Sequence, residues 1–263
     1  MRWCLLEKLL EHPLTGGLEL DRPETTALRR QILREKPFLK RIYEEWYEQI
    51  AAHLPAGEGA IVEFGSGAGF LADRIPGLIT SERFVLPELS LVLDAHQLPF
   101  RGKSLRGIAM TDVLHHLSEP RRFFAEAARC VRGGGAVVMI EPWVSSWSGW
   151  IYRRLLDEPF DPHAVDWEAP ARGPLAGANV ALPWILFERD RERFEREFPQ
   201  WRLTTLRPMM PFRYLLSGGI SMRSLMPAAS FEFWRGFEVL LRPFDRSLAM
   251  FVHVVLERTG RPA

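Results

Sequence analysis

The chain has 263 residues, enough for one large domain with a substantial core. Hydrophobic residues make up 47% and charged residues 25%, which excludes a disordered, collagen-like or coiled-coil protein. Because 34 basic residues nearly balance 33 acidic residues, the formal net charge is +1, and no global field favours nucleic acid or an acidic membrane.

The sequence offers no sign of a membrane span, a signal peptide or a disulfide framework. No stretch reaches roughly 18 uninterrupted apolar residues, the length of a spanning helix. Glu7 and Lys8 interrupt the first apolar run, and no small-residue cleavage site follows, so we expect a helix there and a cytoplasmic location. Cys4 and Cys130 are far apart and belong to no Cys/His cluster, so we expect no disulfide and no metal site.

Residues 1–54 are predicted to be mostly helical. Over residues 39–50 apolar side chains recur at steps of three and four, opposite charged ones, as in an amphipathic helix. The segment 55–59 contains Pro55 and two glycines and ends this helix. We therefore expect a helical extension over 1–54 and the main domain over 55–263.

The main domain alternates predicted strands and helices, which indicates an α/β fold with a mostly parallel sheet. Strands are predicted over 60–64, 78–81, 89–93, 107–111, 136–140, 201–206 and 248–257. A helix is predicted over 119–132, with Gly133, Gly134 and Gly135 ending it. The connections that precede the second and third strands are too short for full crossovers, so the first half of the sheet should be trimmed.

A glycine-rich turn follows the first strand directly. Gly65, Gly67 and Gly69 permit positive φ and close backbone approach, and the helix expected after them offers unpaired N–H groups to a polar ligand. This pattern favours a nucleotide-like ligand. The dinucleotide fingerprint needs a glycine where Phe70 stands, which disfavours an NAD-dependent oxidoreductase. A tight turn that binds nothing is the alternative.

Four ordered segments together resemble a known family. They are residues 62–69 with the glycine turn, 94–100, 112–117, and 126–135 leading into the strand that ends at Pro142. In these segments the sequence resembles the class I S-adenosylmethionine-dependent methyltransferases, particularly the small-molecule type related to ubiquinone-pathway enzymes. The resemblance implies a doubly wound, mostly parallel, seven-stranded Rossmann-like sheet with S-adenosylmethionine as the cofactor.

The resemblance also implies roles for individual residues. The glycine backbone would pass along the methionine part of the cofactor, and Glu63 would hold the turn or meet the cofactor's amino group through water. Glu82 would accept hydrogen bonds from both ribose hydroxyls, since a carboxylate has two acceptor oxygens. The expected cofactor-binding set is Glu63, Phe64, Gly65, Ser66, Gly67, Gly69, Glu82, Asp94 and Ala95 at the adenine, and Thr111 and Asp112 beside the methionine portion.

Some of these residues have simpler interpretations. The alternative for Glu82 is a surface ion pair with Arg83 or Arg74, although the ribose role is favoured. Asp94 is also suited to capping the turn before Pro99.

Methyl transfer from a sulfonium is an in-line displacement, so the protein mainly aligns the acceptor with the methyl group. A hydroxyl acceptor would need a base, for which His116 is the first choice and His115 and Glu141 are further candidates. Packing of both histidines near a helix start, and a loop-stabilising role for Glu141, are the alternatives.

Two long segments, 143–184 and 211–244, are predicted to be cap insertions that bind the acceptor. Five of the nine tryptophans lie in the first, which indicates an apolar pocket or ordinary packing. In the second, aromatic and leucine side chains over 231–241 interleave with Arg235 and Arg242, which fits a helix on a membrane surface and also a helix packed on the core.

The leading expectation is an enzyme that methylates oxygen or carbon of a small-molecule or lipid-like acceptor. The alternative is a non-catalytic S-adenosylmethionine-binding or regulatory subunit. No nucleic-acid partner is expected, and the sequence leaves the oligomeric state open.

Overall fold

A computed structural model describes residues 23–86, 88–155, 158–168 and 179–260. Within these ranges one sheet contains strands β1 (Ala60–Phe64), β2 (Ile79–Glu82), β3 (Leu91–Val92), β4 (Leu105–Thr111), β5 (Val131–Pro142), β6 (Trp201–Met209) and β7 (Phe251–Arg258). The strand order is β3-β2-β1-β4-β5-β7-β6. Strand β7 is antiparallel to both neighbours, and the other pairs are parallel. The predicted mostly parallel, seven-stranded sheet is confirmed.

The helices lie before the sheet and in its second half. They are α1 (Pro23–Glu35), α2 (Pro37–His53), α3 (Pro120–Cys130), α4 (Ser146–Leu155), α5 (Leu182–Trp184), α6 (Arg191–Glu197), α7 (Arg213–Ser217), α8 (Phe231–Leu241) and α9 (Asp245–Leu248). A π-helical turn, Ile185–Arg189, joins α5 to α6, and 3₁₀ turns occupy Leu71–Asp73, Leu114–His116, Ala228–Ser230 and Arg242–Phe244. Among the described helices, none has the length and apolar character needed to cross a bilayer.

Helix α2 covers one face of the sheet. Pro37 stands in its first turn, where a missing N–H costs nothing. The apolar face predicted over 39–50 is buried, and it packs with strand residues such as Ile61 and Val138. The boundary at residue 54 stays a prediction, but α2 itself is a layer of the core.

Helix α3 covers the other face. Phe123, Phe124 and Ala127 are fully buried there and pack with Val62 and Val137 of the strands. Cys130, at the end of this helix, is buried and free, whereas Cys4 lies outside the described residues. The sheet is therefore enclosed between α2 on one side and α3 on the other.

The first half of the sheet is trimmed, as predicted. A single 3₁₀ turn, Leu71–Asp73, lies between β1 and β2. The prediction of an α-helix after the glycine turn was therefore wrong. Between β2 and β3 the described residues contain no helix. Strand β3 is correspondingly short, with two residues where five were predicted. The apolar face of α2 packs instead with Ile61 of β1, Ala109 of β4 and Val138 of β5.

The glycines after α3 do not end that helix, which is a second correction. The helix ends at Cys130, and Gly133, Gly134 and Gly135 lie within β5. They form an irregularity in the pairing with β4, where Gly134 has φ +73°. A Cβ atom at Gly135 would lie 2.8 Å from the carbonyl oxygen of Arg106. The absence of a side chain at Gly135 thus allows the backbones of β4 and β5 to lie close together.

Candidate active site

The sheet order reverses between β1 and β4, and ligands of open α/β sheets bind outside the carboxyl ends of the strands at such a point. The structure brings several predicted residues to this edge. Glu63 and the glycine turn come from β1, Glu82 from β2, Thr111 and Asp112 from β4, and Glu141 from β5. The strands, not the loops, therefore set the spacing of the site.

The glycine turn is closely packed at the positions that resemble a cofactor cradle. Gly65 has φ +65°, and a Cβ atom there would lie 2.4 Å from Cγ2 of Val113. Gly67 has φ +34°, and its Cβ would lie 3.1 Å from Oε1 of Glu82. At Gly69 a Cβ would lie 2.4 Å from the hydroxyl oxygen of Tyr47. Only glycine fits the backbone path of this turn.

The turn is tied to the neighbouring strand. The Ser66 N–H donates to the Ser81 carbonyl at 2.9 Å, and the Ser81 N–H donates to the Ser66 hydroxyl at 3.1 Å. Phe64 directs its buried ring toward Phe123 in the core, at 6.0 Å between centroids. Only the backbone of Phe64 is thus available to a ligand, and Ser66 acts by fixing the turn.

Glu82 lies beside the glycine turn. Its carboxylate accepts hydrogen bonds from the N–H groups of Arg83 and Gly67. Burial raises its pKa, and these hydrogen bonds oppose the rise. Arg74, considered above as a surface partner, lies 3.8 Å from Glu44 and 3.7 Å from Glu48 instead. The carboxylate is therefore fixed at the end of β2 beside the glycine turn, and its contact with the ribose stays a prediction.

Glu63 is a buried carboxyl that titrates near neutrality. It is 3% exposed, and burial raises its pKa to about 7, opposed by a hydrogen bond with Ser66 and supported by the charge of Glu82. A cationic ligand nearby would favour the ionised form and lower this pKa.

We expect the affinity for S-adenosylmethionine to rise about tenfold between pH 6 and pH 8, because binding a cation beside Glu63 releases its proton. Below the folded-state pKa, binding must first ionise this carboxyl. Titration calorimetry across this range measures the effect. Glu63→Gln is the control, since it keeps the ligand's own titration and loses that of the carboxyl. An unchanged pH dependence in Glu63→Gln would contradict the assignment.

Thr111 and Asp112 end β4 in unusual states. The hydroxyl oxygen of Thr111 is buried and has no hydrogen-bond partner among the described residues. Asp112 has φ +63°, and its N–H donates to the Ile140 carbonyl at 2.8 Å. Burial raises the pKa of Asp112 to about 6, while His115 opposes the rise. An unpaired buried hydroxyl and a strained carboxylate are typical of a ligand site.

Asp94 shows the turn-capping contact that was its alternative role. Its Oδ1 accepts the His96 N–H at 2.9 Å and lies 2.7 Å from His96 Nδ1. Burial opposes ionisation, but these contacts lower the pKa of Asp94. Ala95 is buried beside it. The adenine contact of both residues stays a prediction.

Glu141 organises the acceptor end of the site. It is fully buried, and its Oε1 accepts the N–H groups of Val113 at 2.9 Å and Leu114 at 2.7 Å. Its Oε2 lies 2.9 Å from Nδ1 of His115. The carboxylate therefore holds the loop, as the alternative stated, and also orients the histidine ring.

His115 lies between two carboxylates. Its Nε2 is 3.5 Å from Glu158, which follows α4 and was not among the predicted residues. Burial alone would lower the pKa of His115, but the hydrogen bonds to Glu141 and Glu158 and the charge of Asp112 raise it well above the usual value. Burial also opposes ionisation of Glu158, yet the imidazolium lowers its pKa to about 2.

His116 lies against His115, with 4.0 Å between the ring centroids. Nitrogen or carboxylate atoms of His115, His116 and Glu158 lie within 4.8 Å of one another, a grouping found in metal sites. Metal ions bind neutral imidazole, whereas the three carboxylates around His115 favour its protonated form. A metal ion at this cluster would therefore have to displace the proton of His115.

Two further features were missed by sequence reasoning. Helix α1 lies over the glycine turn, where the Arg30 guanidinium donates to the Gly67 carbonyl at 3.0 Å and pairs with Glu88. Tyr43 of α2 lies close enough to Asp112 for that charge to raise its pKa, in addition to burial. Neither helix had a motif that would have assigned it to the site.

Residues 62–139 match a protein-family model described as a methyltransferase domain. No curated protein matches the chain. Among solved structures, the chain is similar to geranyl diphosphate C-methyltransferase from Streptomyces coelicolor A3(2), with TM-score 0.52 and 14% identity over 95% of this chain and 89% of that one. It is also similar to an S-adenosylmethionine-dependent methyltransferase from Thermotoga maritima, with TM-score 0.53 and 15% identity over 89% and 99%. At these identities the likeness concerns the fold.

The residues at the strand ends fit the cofactor of this family. The turn at Gly65 and Gly67 keeps its backbone path only without Cβ atoms, which would meet Val113 and Glu82, and the Thr111 hydroxyl lacks a partner among the described residues. Glu82 offers a buried carboxylate beside them. The narrower relation to ubiquinone-pathway enzymes stays a prediction. The family match over residues 62–139 and the strand order show a methyltransferase domain on a Rossmann-like fold, and S-adenosylmethionine is the cofactor of such domains.

Proposed function

We propose that the chain methylates a hydroxyl oxygen of a small-molecule or lipid-like acceptor, with His115 as the general base. The observation that supports this most is the buried pair of His115 and Glu141, whose Nδ1 and Oε2 atoms lie 2.9 Å apart at the end of β5. A histidine whose Nδ1–H is fixed by a carboxylate presents Nε2 to its substrate, as in other histidine bases.

The bound cofactor supplies an electrophilic methyl group on a positively charged sulfur. Nε2 of His115 would accept the hydroxyl proton while the acceptor oxygen takes up this methyl group, whose bond to the cofactor's sulfur would break. Glu141 then stabilises the imidazolium through Nδ1. The buried turn that Glu141 holds also keeps the ring from rotating.

Glu158 keeps His115 protonated until an acceptor binds. Its carboxylate lies 3.5 Å from Nε2 and favours the protonated ring. An acceptor hydroxyl must take the place of that contact, and removal of the carboxylate lowers the pKa of His115 toward the range in which it accepts a proton. The acceptor thereby activates the base that it uses.

His116 was the first choice from the sequence, and the hydrogen bonds favour His115 in its place. The Oε2 atom of Glu141, 2.9 Å from Nδ1, orients the His115 ring, and this contact is the reason for preferring His115. His116 remains the second candidate because it lies at the same opening, 4.0 Å from His115 between ring centroids.

The surroundings favour an apolar acceptor. Burial raises the pKa values of Tyr152 and Tyr214, and the charges of Asp112 and Glu158, among others, add to the rise. The Tyr152 hydroxyl donates to the Met250 carbonyl at 2.5 Å, so its ring is fixed. Of the five tryptophans in the first cap segment, Trp143 and Trp167 belong to the core. The cap boundaries stay a proposal.

The cofactor assignment is tested by calorimetry with S-adenosylmethionine and S-adenosylhomocysteine. We expect micromolar binding that weakens by roughly a hundredfold or more in Gly65→Ala, since the added methyl would clash with Val113 and displace the turn. Gly77→Ala is the matched control: Gly77 has φ +74° but nothing within 4 Å of its Cβ position. Gly77→Ala introduces the same backbone strain without the clash, so this variant should bind the cofactor normally.

Turnover separates the enzyme from the alternative of a non-catalytic binding or regulatory subunit. Phenols, quinols and lipid-linked hydroxyl compounds are the acceptors to screen, with formation of S-adenosylhomocysteine as the signal. Tight cofactor binding without turnover of any acceptor would favour the alternative. Equal cofactor binding by the two glycine variants would contradict the site itself.

A further inference from the structure

Helix α8 presents a stripe of large apolar side chains to solvent. Phe233, Phe237 and Leu240 recur at steps of four and three along the helix, and Phe244 follows in the next 3₁₀ turn. Their exposed fractions are 69%, 39%, 75% and 60%. We call these four residues the α8 surface. Amphipathic helices of water-soluble proteins turn such a stripe toward the core.

The orientation of α8 is fixed by an ion pair on its other side. Glu238 is buried, and its carboxylate lies 2.5 Å from Nε of Arg213. It also accepts the N–H groups of Phe212 and Arg213 at 2.9 and 2.8 Å. Arg213 in turn binds Glu45 of α2 at 2.7 Å. Rotating the helix to bury the α8 surface would break these bonds, so its exposure is built into the fold.

The α8 surface continues into a row of aromatic rings. Phe237 stacks on Phe212 at 6.1 Å between centroids, and Phe212 contacts Trp147 of α4 at 5.8 Å. Trp147 stacks on Trp150 at 5.8 Å, and Trp150 is 44% exposed with the Arg154 guanidinium 4.5 Å above its ring. Tryptophan next to arginine is the pairing found where proteins meet the headgroup layer of a bilayer.

The exposed charges beside this surface are mainly positive. Arg242 and Arg246 are exposed, whereas Glu238 is buried and Asp245 is half-buried with a pKa raised by desolvation. The exposed Glu232 pairs with Arg41 and Arg235. The acids of the segment are thus neutralised or turned inward, and the arginines at its end face solvent.

We propose that the α8 surface docks on the surface of an anionic lipid bilayer. A bilayer supplies both partners that the surface needs, acyl chains for Phe233, Leu240 and Phe244 and anionic headgroups for Arg242 and Arg246. A second copy meeting the same stripe across a twofold axis would bring the arginines of the two copies together, which costs free energy. Charge complementarity therefore selects the membrane as the partner.

The docking surface is independent of the proposed chemistry, since vesicle binding needs neither cofactor nor acceptor. Cosedimentation with vesicles of phosphatidylcholine and phosphatidylglycerol measures it. We expect the full chain to bind these vesicles and the double variant Phe233→Ser/Leu240→Ser to bind at least roughly tenfold more weakly. Both positions are exposed, so unfolding midpoints should stay unchanged and show that the variant is folded.

Further variants and a second vesicle composition test whether binding depends on this surface and on its charge. Val85→Ser/Val165→Ser removes side chains that are 74% and 91% exposed elsewhere, and it should bind vesicles normally. Arg242→Gln and Arg246→Gln should each weaken binding roughly fivefold, and vesicles of phosphatidylcholine alone should bind less than anionic ones. No vesicle binding by the full chain, or equal loss in the valine control, would overturn the proposal. So would sedimentation showing a dimer, without vesicle binding, that the Phe233→Ser/Leu240→Ser variant dissociates.

Discussion

His115→Ala is expected to lower kcat by roughly 10²- to 10⁴-fold while leaving the affinity for S-adenosylmethionine within about threefold. The reason is that the acceptor proton would lose its proposed base, whereas the glycine turn and Glu82, the proposed cofactor site, do not depend on this ring. Glu141 keeps its backbone donors Val113 and Leu114, so the loop persists in the variant. Initial rates with an acceptor from the screen, and calorimetry with the cofactor, measure the two effects.

The pH profile of the same reaction tests the role of His115 more closely. The ring must lose its proton to act as a base, so kcat/KM, which reports the enzyme before the acceptor displaces Glu158, should rise with pH toward a pKa above the ordinary histidine value. Glu158→Gln removes one of the carboxylates that raise this pKa and should shift the rise to lower pH. His116→Ala is the matched control and should change kcat by less than about tenfold. A His115→Ala variant with normal kcat would remove this residue from the mechanism.

Trp46→Ala is expected to lower the free energy of unfolding by about 3–5 kcal/mol. Trp46 is fully buried, and its ring lies 4.8 Å from Phe251 of β7 and 5.8 Å from Tyr214, measured between centroids. Removing it opens a cavity between α2 and the sheet. Against a typical domain stability of roughly 5–15 kcal/mol, the loss is severe. Denaturant unfolding, monitored by circular dichroism, measures it.

Trp150→Ala is the matched control for that measurement, because Trp150 is 44% exposed. It should cost less than about 1 kcal/mol. Trp46→Phe should recover much of the stability, since the indole N–H of Trp46 has no hydrogen-bond partner among the described residues. Equal losses at Trp46 and Trp150 would show that α2 contributes little to the core.

The cofactor side of the site was predictable because its signals are local. Gly65, Gly67 and Gly69 follow a buried strand directly, and the alternation of strands and helices places Glu82 and Asp112 at the same edge. Backbone sterics in the turn leave no other residue type there, so the pattern is visible in a short stretch of sequence.

The acceptor side was less predictable because it depends on contacts between distant segments. Glu158 reaches His115 from beyond α4, and no spacing rule connects the two residues. Glu141 was named as a candidate. Its contact with His115, however, depends on the direction in which the 3₁₀ turn points the ring of each histidine, and the sequence does not show this. The end of α3 was misplaced for a related reason, since β5 begins at Val131 and the three glycines form an irregularity between its Leu105–Val131 and Gly107–Ala136 pairs with β4.

The trimmed crossover also has a consequence for the order in which the protein folds. With only a 3₁₀ turn between β1 and β2, the face of β1, β4 and β5 is covered by α2, and Trp46 of that helix packs against Phe251 of β7. These partners are far apart in sequence, and such nonlocal contacts slow folding. During synthesis α2 leaves the ribosome long before β7 is made, so part of its apolar face stays exposed until β7 can pack against it. Chaperone dependence should therefore fall once residue 258 has left the ribosome.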